Sequence, residues 1–267
     1  MKGYIDRHPF VFCAMVLVAL LGFAYLARLV FPPAVIGSAA EITSGAAAEP
    51  SALDRVLALF RDAEALFWTL TLVLAGVPLA VLGWNGAGFG GSVRWRNLYL
   101  LWFPLGVAAL SLTGGVGISG GGYLVAALIG VLLAVVGEEA IFRGVMWRAL
   151  IPHGPLLTTL VTALLTGALY FANATLASRP FPETVFNTLT ATCAAVTYGA
   201  LRWRTAALWP VVLAHAVLAY ARTVSTPSIE IYQLSLYITT LGFTLYGLFL
   251  LRNRRVRVDG GFGNSTN

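Results

Sequence analysis

Apolar runs long enough to cross a bilayer recur along nearly the whole of this chain, and they constrain its fold more than any other feature. A span needs about 20 mostly apolar residues, because a helix rises ~1.5 Å per residue through a hydrocarbon core about 30 Å thick. Eight segments of the 267-residue chain qualify, at 10–31, 64–84, 97–117, 122–150, 154–175, 184–202, 205–222 and 231–251. Only 10% of residues are charged against 58% hydrophobic, where soluble domains carry about a quarter charged. The expected fold is therefore all-α, a polytopic membrane helical bundle of about eight transmembrane helices.

Segment 32–63 stands apart. It opens as an Ala/Gly/Ser-rich loop and turns amphipathic at "ALDRVLALFRDAEALF", which predicts an interfacial helix or an extension of the second span. The N-terminal apolar run of about 20 residues exceeds the 7–15 of a signal-peptide core, so a retained first span is expected. Orientation follows from the basic residues. With the N-terminus in the cytoplasm, Lys2, Arg7, Arg94, Arg96, Arg148, Arg202, Arg204, Arg252, Arg254, Arg255 and Arg257 fall inside, while Arg28, Arg55, Arg61, Arg179 and Arg222 fall outside. The expected location is the cytoplasmic (inner) membrane, multi-pass, with both termini cytoplasmic.

The formal net charge of +6 does not point to nucleic acid, because the cations sit in short clusters between apolar runs. Cys13 and Cys193 both lie in apolar stretches without C-x-x-C spacing. They read as small buried hydrophobes rather than a disulfide or a thiolate site. The glycine-rich stretch "TGGVGISGGGY", 113–123, lacks the Lys-Ser/Thr of a phosphate loop and reads as a flexible external loop.

Three charges escape interfacial explanation: Glu138, Glu139 and Arg143, in "VVGEEAIFRGVMWRAL". An ionisable group in mid-membrane costs at least ~2.5–3.5 kcal/mol on insertion scales, so by default it marks a functional site. Glu139 and Arg143 stand at i, i+4 with the acid first, the favourable ion-pair order. In an α-helix Glu138 is rotated about 100° from Glu139. Arg143 is then expected to neutralise Glu139 while Glu138 faces elsewhere, free to act as a general base. Ionic ties between helices and a proton or cation path remain open as other uses of the same charges. His215, in "LWPVVLAHAVLAYA", is the one histidine placed within a span, at a depth similar to the glutamates. Tyr170, Asn173 and Asn187 add polar groups, Asn187 also serving as a candidate interhelical hydrogen bond.

These residues resemble the CAAX protease and bacteriocin-processing (CPBP, or Abi) family of intramembrane proteases. The family's first motif, E-E-x-x-x-R, often continues F-R-G, and this chain reads "EEAIFRG" at 138–144. The stretch "FNTLTATCAAVTYGALRWRTAALWPVVLAHA" is similar to the family's last two core helices. Two departures stand out. The second motif, F-x-x-x-H, corresponds to "TGALY", with Thr166 and Tyr170, so Tyr170 occupies the histidine position. The third, H-x-x-x-N/D, reads "HAVLA", with His215 present and Ala219 in place of the polar partner.

The resemblance implies a four-helix catalytic core over 122–222, flanked by N-terminal membrane helices and the amphipathic segment over 1–121, and by a last membrane helix and basic cytoplasmic tail over 223–267. It implies a catalytic set of Glu138, Glu139, Arg143, Tyr170 and His215. Glu138 would be the base that activates water and His215 an oxyanion donor. Glu139 with Arg143 would hold the helix and tune the field, and Tyr170 would donate a hydrogen bond to the water or oxyanion. Asn173 and Asn187 are candidate substrate-binding residues. Zinc is disfavoured, since a catalytic zinc usually takes three protein ligands and the second-motif histidine is missing; no cofactor or metal is expected. The expected activity is a glutamate-type intramembrane endopeptidase acting on a membrane-embedded or lipid-anchored protein or peptide. The lipid bilayer is its other partner, with no role for nucleic acid. A catalytically silent binding protein of the same family is the alternative, and a proton-coupled transporter is the more distant one.

Overall fold

The computed structural model describes residues 2–30, 76, 83–85, 88–90, 92–117, 121–176 and 179–252. Among them the chain is helical throughout, apart from turns and one isolated antiparallel bridge, Val116 to Ser225. After α1 (Lys2–Arg7) and α2 (Pro9–Val30), a 3₁₀ stretch (Trp95–Leu101) runs directly into α3 (Trp102–Leu112). Then α4 (Gly121–Glu139) passes into a π-helical segment (Ala140–Met146) and a last turn, α5 (Trp147–Leu150). A 3₁₀ turn (Ile151–His153) leads to α6 (Pro155–Leu176), α7 (Phe181–Thr205) and α8 (Trp209–Val224). Finally α9 (Ile229–Tyr237) continues through a second π segment (Ile238–Gly242) into α10 (Phe243–Arg252).

Among the described residues four stretches are long and apolar enough to cross a membrane: Pro9–Leu26, Gly121–His153, Pro155–Leu176 and Ile229–Arg252. Their outward faces carry large exposed apolar side chains, among them Met15, Val18, Leu164, Leu245 and Phe249. A soluble monomer rarely exposes so continuous an apolar surface. The chain is a multi-pass membrane protein. Four of the eight expected spans correspond to these stretches. The segment 97–117 is divided between the 3₁₀ stretch, an 11-residue α3 and a turn at Thr113–Gly114. The 25-residue α7 is interrupted by threonines, Glu183, Arg202 and Arg204, and α8 is apolar but only 16 residues long. The expected span at 64–84 lies almost wholly, and the amphipathic segment at 32–63 wholly, outside the described residues.

Helices α6 and α7 pack along much of their length, through threonines and glycines rather than large side chains. On α6, Thr158, Thr162 and Thr166 recur every four residues and are buried. Each hydroxyl donates back to a carbonyl one turn earlier, to Gly154 O at 2.8 Å, Thr158 O at 2.8 Å and Thr162 O at 2.9 Å. The polar atoms are thereby satisfied within the helix, and the methyl groups are left for packing. Close approach depends on small residues, as is usual between membrane helices. A Cβ on Gly167 of α6 would stand 2.0 Å from Thr192 Oγ1 of α7, and one on Gly247 of α10 would stand 2.9 Å from the Thr197 backbone nitrogen.

Among the described residues two large apolar clusters result. One joins α2, α4, α5, α6 and the start of α8 through Phe12, Leu20, Ile141, Met146, Leu169 and Leu208. The other joins α3, α7, α8 and α10 through Val107, Tyr198, Leu201, Leu218 and Phe243. Helix α8 belongs to both, so whatever it carries is held from two sides.

The glycine-rich stretch is less free than expected. Gly117 N donates to Val224 O at 2.9 Å, and Thr226 N donates to Gly115 O at 3.2 Å. Residues 113–117 are thus stitched to the α8–α9 connection, and a Cβ at Gly114 would come within 2.5 Å of Pro227 Cα. The close approach of two backbones, rather than flexibility, accounts for glycine there. Residues 118–120 lie outside the described residues.

Candidate active site

The two glutamates close α4, and Arg143 lies inside the π segment that follows. That local geometry changes which charges meet. A π turn pairs residues five apart where an α turn pairs residues four apart, so Arg143 comes into register with both acids. Its Nη1 lies 3.3 Å from Glu139 Oε1 and 3.5 Å from Glu138 Oε1. The expected Glu139–Arg143 pair is present. The expected separation of Glu138 from it is not, because one guanidinium nitrogen faces both carboxylates. All three side chains are buried, Glu139 and Arg143 completely.

Other helices complete the cluster. His215 of α8 brings Nδ1 to 2.7 Å from Glu139 Oε1. Tyr170 of α6 donates its hydroxyl to Glu138 Oε2 at 3.0 Å. The Tyr198 ring of α7 stacks on the His215 imidazole, with centroids 4.6 Å apart and planes inclined by 22°. The same ring lies 5.9 Å from Arg143 Cζ, within cation–π range. From α7, Arg202 Nε donates to the Arg143 carbonyl at 3.3 Å. Glu139 Oε2 and Arg143 Nε and Nη2 have no hydrogen-bond partner in the protein, so the cluster retains polar capacity that burial makes costly to waste.

A cavity of about 570 Å³ adjoins this cluster, lined by Tyr170, Asn173, Asn187, Tyr198, His215 and Arg222 among others. Neither glutamate lines it; their hydrogen-bond partners, Tyr170 and His215, do. The sequence-derived residues therefore form two layers. Glu138, Glu139 and Arg143 lie beneath, while Tyr170 and His215, together with Asn173 and Asn187, face the cavity. Ala219 also lines it, one turn after His215. A short side chain there widens the space where a polar partner would narrow it.

Glu138, Glu139 and His215 bring donor atoms within 4.8 Å of one another, a grouping of ligand types that can hold a metal ion. The arrangement does not fit one. Two ligands of a single tetrahedral zinc stand about 3.3 Å apart at bond lengths of ~2.0–2.1 Å. His215 Nδ1 and Glu139 Oε1 are closer, at 2.7 Å, and are hydrogen-bonded to each other. The cationic Arg143 also stands against both carboxylates, where it would repel a dication. The donor set is a hydrogen-bonded ion cluster.

Three residues of this region escaped the sequence reading. By position near helix ends Arg202 and Arg222 read as interfacial anchors. In the fold Arg202 is buried against the π segment, and Arg222 lines the cavity. Tyr198 sits in a helix whose threonines and arginines give no apolar stripe, and no local spacing links it to His215.

A sequence profile of the family described as Rce1-like, type II CAAX prenyl endopeptidase, matches residues 120–221. No curated protein and no solved structure matches the chain. The matched residues contain α4 with its glutamate pair, the π segment, α6, α7 and nearly all of α8, which are the elements that assemble the buried cluster. Residues 120–221 thus form a domain of the Rce1-like type II CAAX prenyl endopeptidase family, a family of membrane peptidases.

Proposed function

We propose that the chain is a glutamate-type intramembrane endopeptidase that hydrolyses a peptide bond in a membrane-embedded or lipid-anchored protein or peptide. The observation that carries this reading is that Tyr170 and His215, from two helices lining one cavity, hydrogen-bond the buried Glu138 and Glu139 behind its wall. Burying two carboxylates is expensive unless cations and hydrogen bonds answer them, and packing alone gives no reason to bury them beside a cavity.

The chemistry follows from the two layers. A water held in the cavity against the Tyr170 hydroxyl attacks the substrate carbonyl carbon. As it does so, it gives a proton to the Tyr170 oxygen, while Tyr170 passes its own proton to Glu138 Oε2 along the existing 3.0 Å hydrogen bond. Tyrosine is a poor base alone, but here it only relays the proton to a carboxylate. His215, held by Glu139 through Nδ1, presents Nε2. The ring donates to the oxyanion that forms, while Arg143 stands against the two glutamates. Breakdown of the tetrahedral intermediate returns the proton from Glu138, by the same route, to the departing amine. The stacked Tyr198 ring fixes the imidazole plane, and Glu139 Oε1, accepting from Nδ1–H, holds the ring in place.

The substrate enters from the bilayer, and Asn173 and Asn187 offer amide groups to its backbone. The catalytic unit would be residues 122–222, with 1–121 and 223–267 flanking it. Exposed Arg94 and Arg96 beside the exposed rings of Trp95, Tyr99 and Trp102 suit the cytoplasmic interface. That supports a cytoplasmic membrane protein with both termini inside.

The test is reconstitution of purified protein in liposomes with lipidated peptides, with mass spectrometry of the products. A new C-terminus at one internal bond is expected, absent from empty liposomes. One observation favours a second reading, a silent member that binds a membrane peptide without cutting it: Glu138 is screened from the cavity by Tyr170. Saturable peptide binding with no product would select it.

A further inference from the structure

We propose that Arg202 is a positioning residue of the glutamate site: it holds the π segment, and through it the register that sets Arg143 against both Glu138 and Glu139. For its effect on turnover the proposal rests on the endopeptidase reading; for the charge register it does not. In an α-helix the Arg143 carbonyl would accept the amide four residues on, that of Trp147. Here the Trp147 amide bonds to Phe142 O and Gly144 O instead, the carbonyls on either side. The Arg143 carbonyl is passed over where the π segment ends, and the residue is wholly buried. A buried carbonyl in that position needs a donor from elsewhere. The Arg202 side chain of α7 supplies it, Nε to O at 3.3 Å.

Arg202 is itself tightly placed. It is only 6% exposed, and among the described residues no carboxylate pairs with it. Charge pairing therefore does not explain why it is buried. Its guanidinium packs on the backbone of Gly88, where a Cβ would fall 1.8 Å from Nη2 and 2.7 Å from Cζ. Gly88 in turn has a φ of +89°, and its carbonyl accepts from Leu208 N at 3.0 Å. The glycine is thus pinned beside the α7–α8 turn, and Arg202 touches both it and the π segment. A guanidinium stays protonated at any working pH and is planar, so it is a permanent donor of fixed direction.

The consequence lies one turn away. Without Arg202 the Arg143 carbonyl is left buried and unpaired, and the helix can satisfy it only by returning to α pairing with the Trp147 amide. In α register Arg143 faces Glu139, four residues before it, while Glu138 is rotated about 100° further round the helix. One cation shared by two acids then becomes one pair and one acid without a cation. Glu138 also leaves the position in which Tyr170 donates to it. Arg202 does not line the cavity, so substrate binding is untouched and the loss falls on the chemical step.

The experiment is a pair of double-mutant cycles read as unfolding temperatures in detergent, E138Q with R143M and E139Q with R143M, each run in the wild-type and the R202M background. In wild type both pairs should depart from additivity. In R202M the Glu139–Arg143 coupling should persist while the Glu138–Arg143 pair becomes additive. A merely structural Arg202 would lower every unfolding temperature and leave both couplings in place. Should R202M fail to fold, G88A carries the same cycles, because its methyl group displaces the guanidinium and leaves Arg202 in the chain. Turnover of a lipidated peptide in liposomes is measured alongside. In R202M kcat should fall about 10-fold with KM little changed, the scale of one lost hydrogen bond, and R202K, which keeps an N–H donor, should recover most of it. A Glu138–Arg143 coupling that is absent from wild type, or unchanged in R202M and G88A, overturns the proposal. So does loss of both couplings together, or a wild-type kcat in R202M. If wild type cuts no peptide, the endopeptidase reading fails, and the cycles alone decide whether Arg202 sets the register of Arg143.

Discussion

The Tyr170 hydroxyl donates a 3.0 Å hydrogen bond to Glu138 Oε2 while the same side chain lines the cavity. A proton leaving the cavity for Glu138 therefore has a hydroxyl to pass through. Replacing Tyr170 with Phe removes the relay and keeps the ring. We expect kcat to fall about 10²-fold, the lower end of what a positioned acid–base group supplies, with KM and thermal stability little changed. Tyr170→His, which substitutes a competent base, should retain much of the activity. Steady-state kinetics of the two variants beside wild type checks this.

Arg143 is the cation shared by Glu138 and Glu139. Arg143→Met leaves two carboxylates buried together, and removal of one partner from a buried ionic group costs about 3–5 kcal/mol. The single variant should unfold at markedly lower temperature in detergent. The triple variant E138Q/E139Q/R143M, which removes all the charge, should recover most of the loss. A triple variant no more stable than the single one would mean that the ionic cluster is not what the bundle depends on.

His215 is oriented by the face of Tyr198, not by its hydroxyl. Tyr198→Phe should therefore keep near wild-type turnover. Tyr198→Leu, which loses a ring contact worth about 0.5–1.5 kcal/mol, should lower kcat several-fold. Equal effects of the two changes would contradict the stacking role.

Gly247 allows α10 to approach the backbone of α7 at Thr197, next to Tyr198. A side chain there meets backbone that cannot step aside, and overpacking of this kind costs about 1–3 kcal/mol. Gly247→Leu should lower the unfolding temperature and also reduce activity, because it moves the helix that carries Tyr198. Thermal unfolding measured alongside turnover reads both effects.

Arg143 stands against both carboxylates and His215 is hydrogen-bonded to Glu139, so proteolysis should be unaffected by EDTA or 1,10-phenanthroline. Metal analysis of active protein should give well below one equivalent. Inactivation by chelator that added zinc reverses would contradict the ion-cluster account.

Some of this site was legible in the sequence because membrane burial makes charge conspicuous. Glu138, Glu139, Arg143 and His215 stand out within apolar runs, and Tyr170 and Asn173 follow as the polar groups of the next helix. The sharing of Arg143 was not legible. It depends on a π turn over Ala140–Met146 that no residue in "AIFRGVM" announces. Arg222 was hidden for a different reason: a cation at a helix end reads as a topology anchor, and only tertiary packing turns it into a cavity. The division of 97–117 was likewise invisible to a count of apolar residues, since hydropathy measures the burial a segment seeks and not whether its backbone stays in one helix.

The central claim is that Glu138 receives the proton of the attacking water. Its most direct measurement is single-turnover cleavage of a lipidated peptide by wild type and Glu138→Gln, reconstituted at equal amounts and shown to bind the peptide equally. Glu138→Gln is expected to lose at least about 10²-fold in the cleavage step with binding intact. Cleavage by Glu138→Gln at the wild-type rate would contradict it.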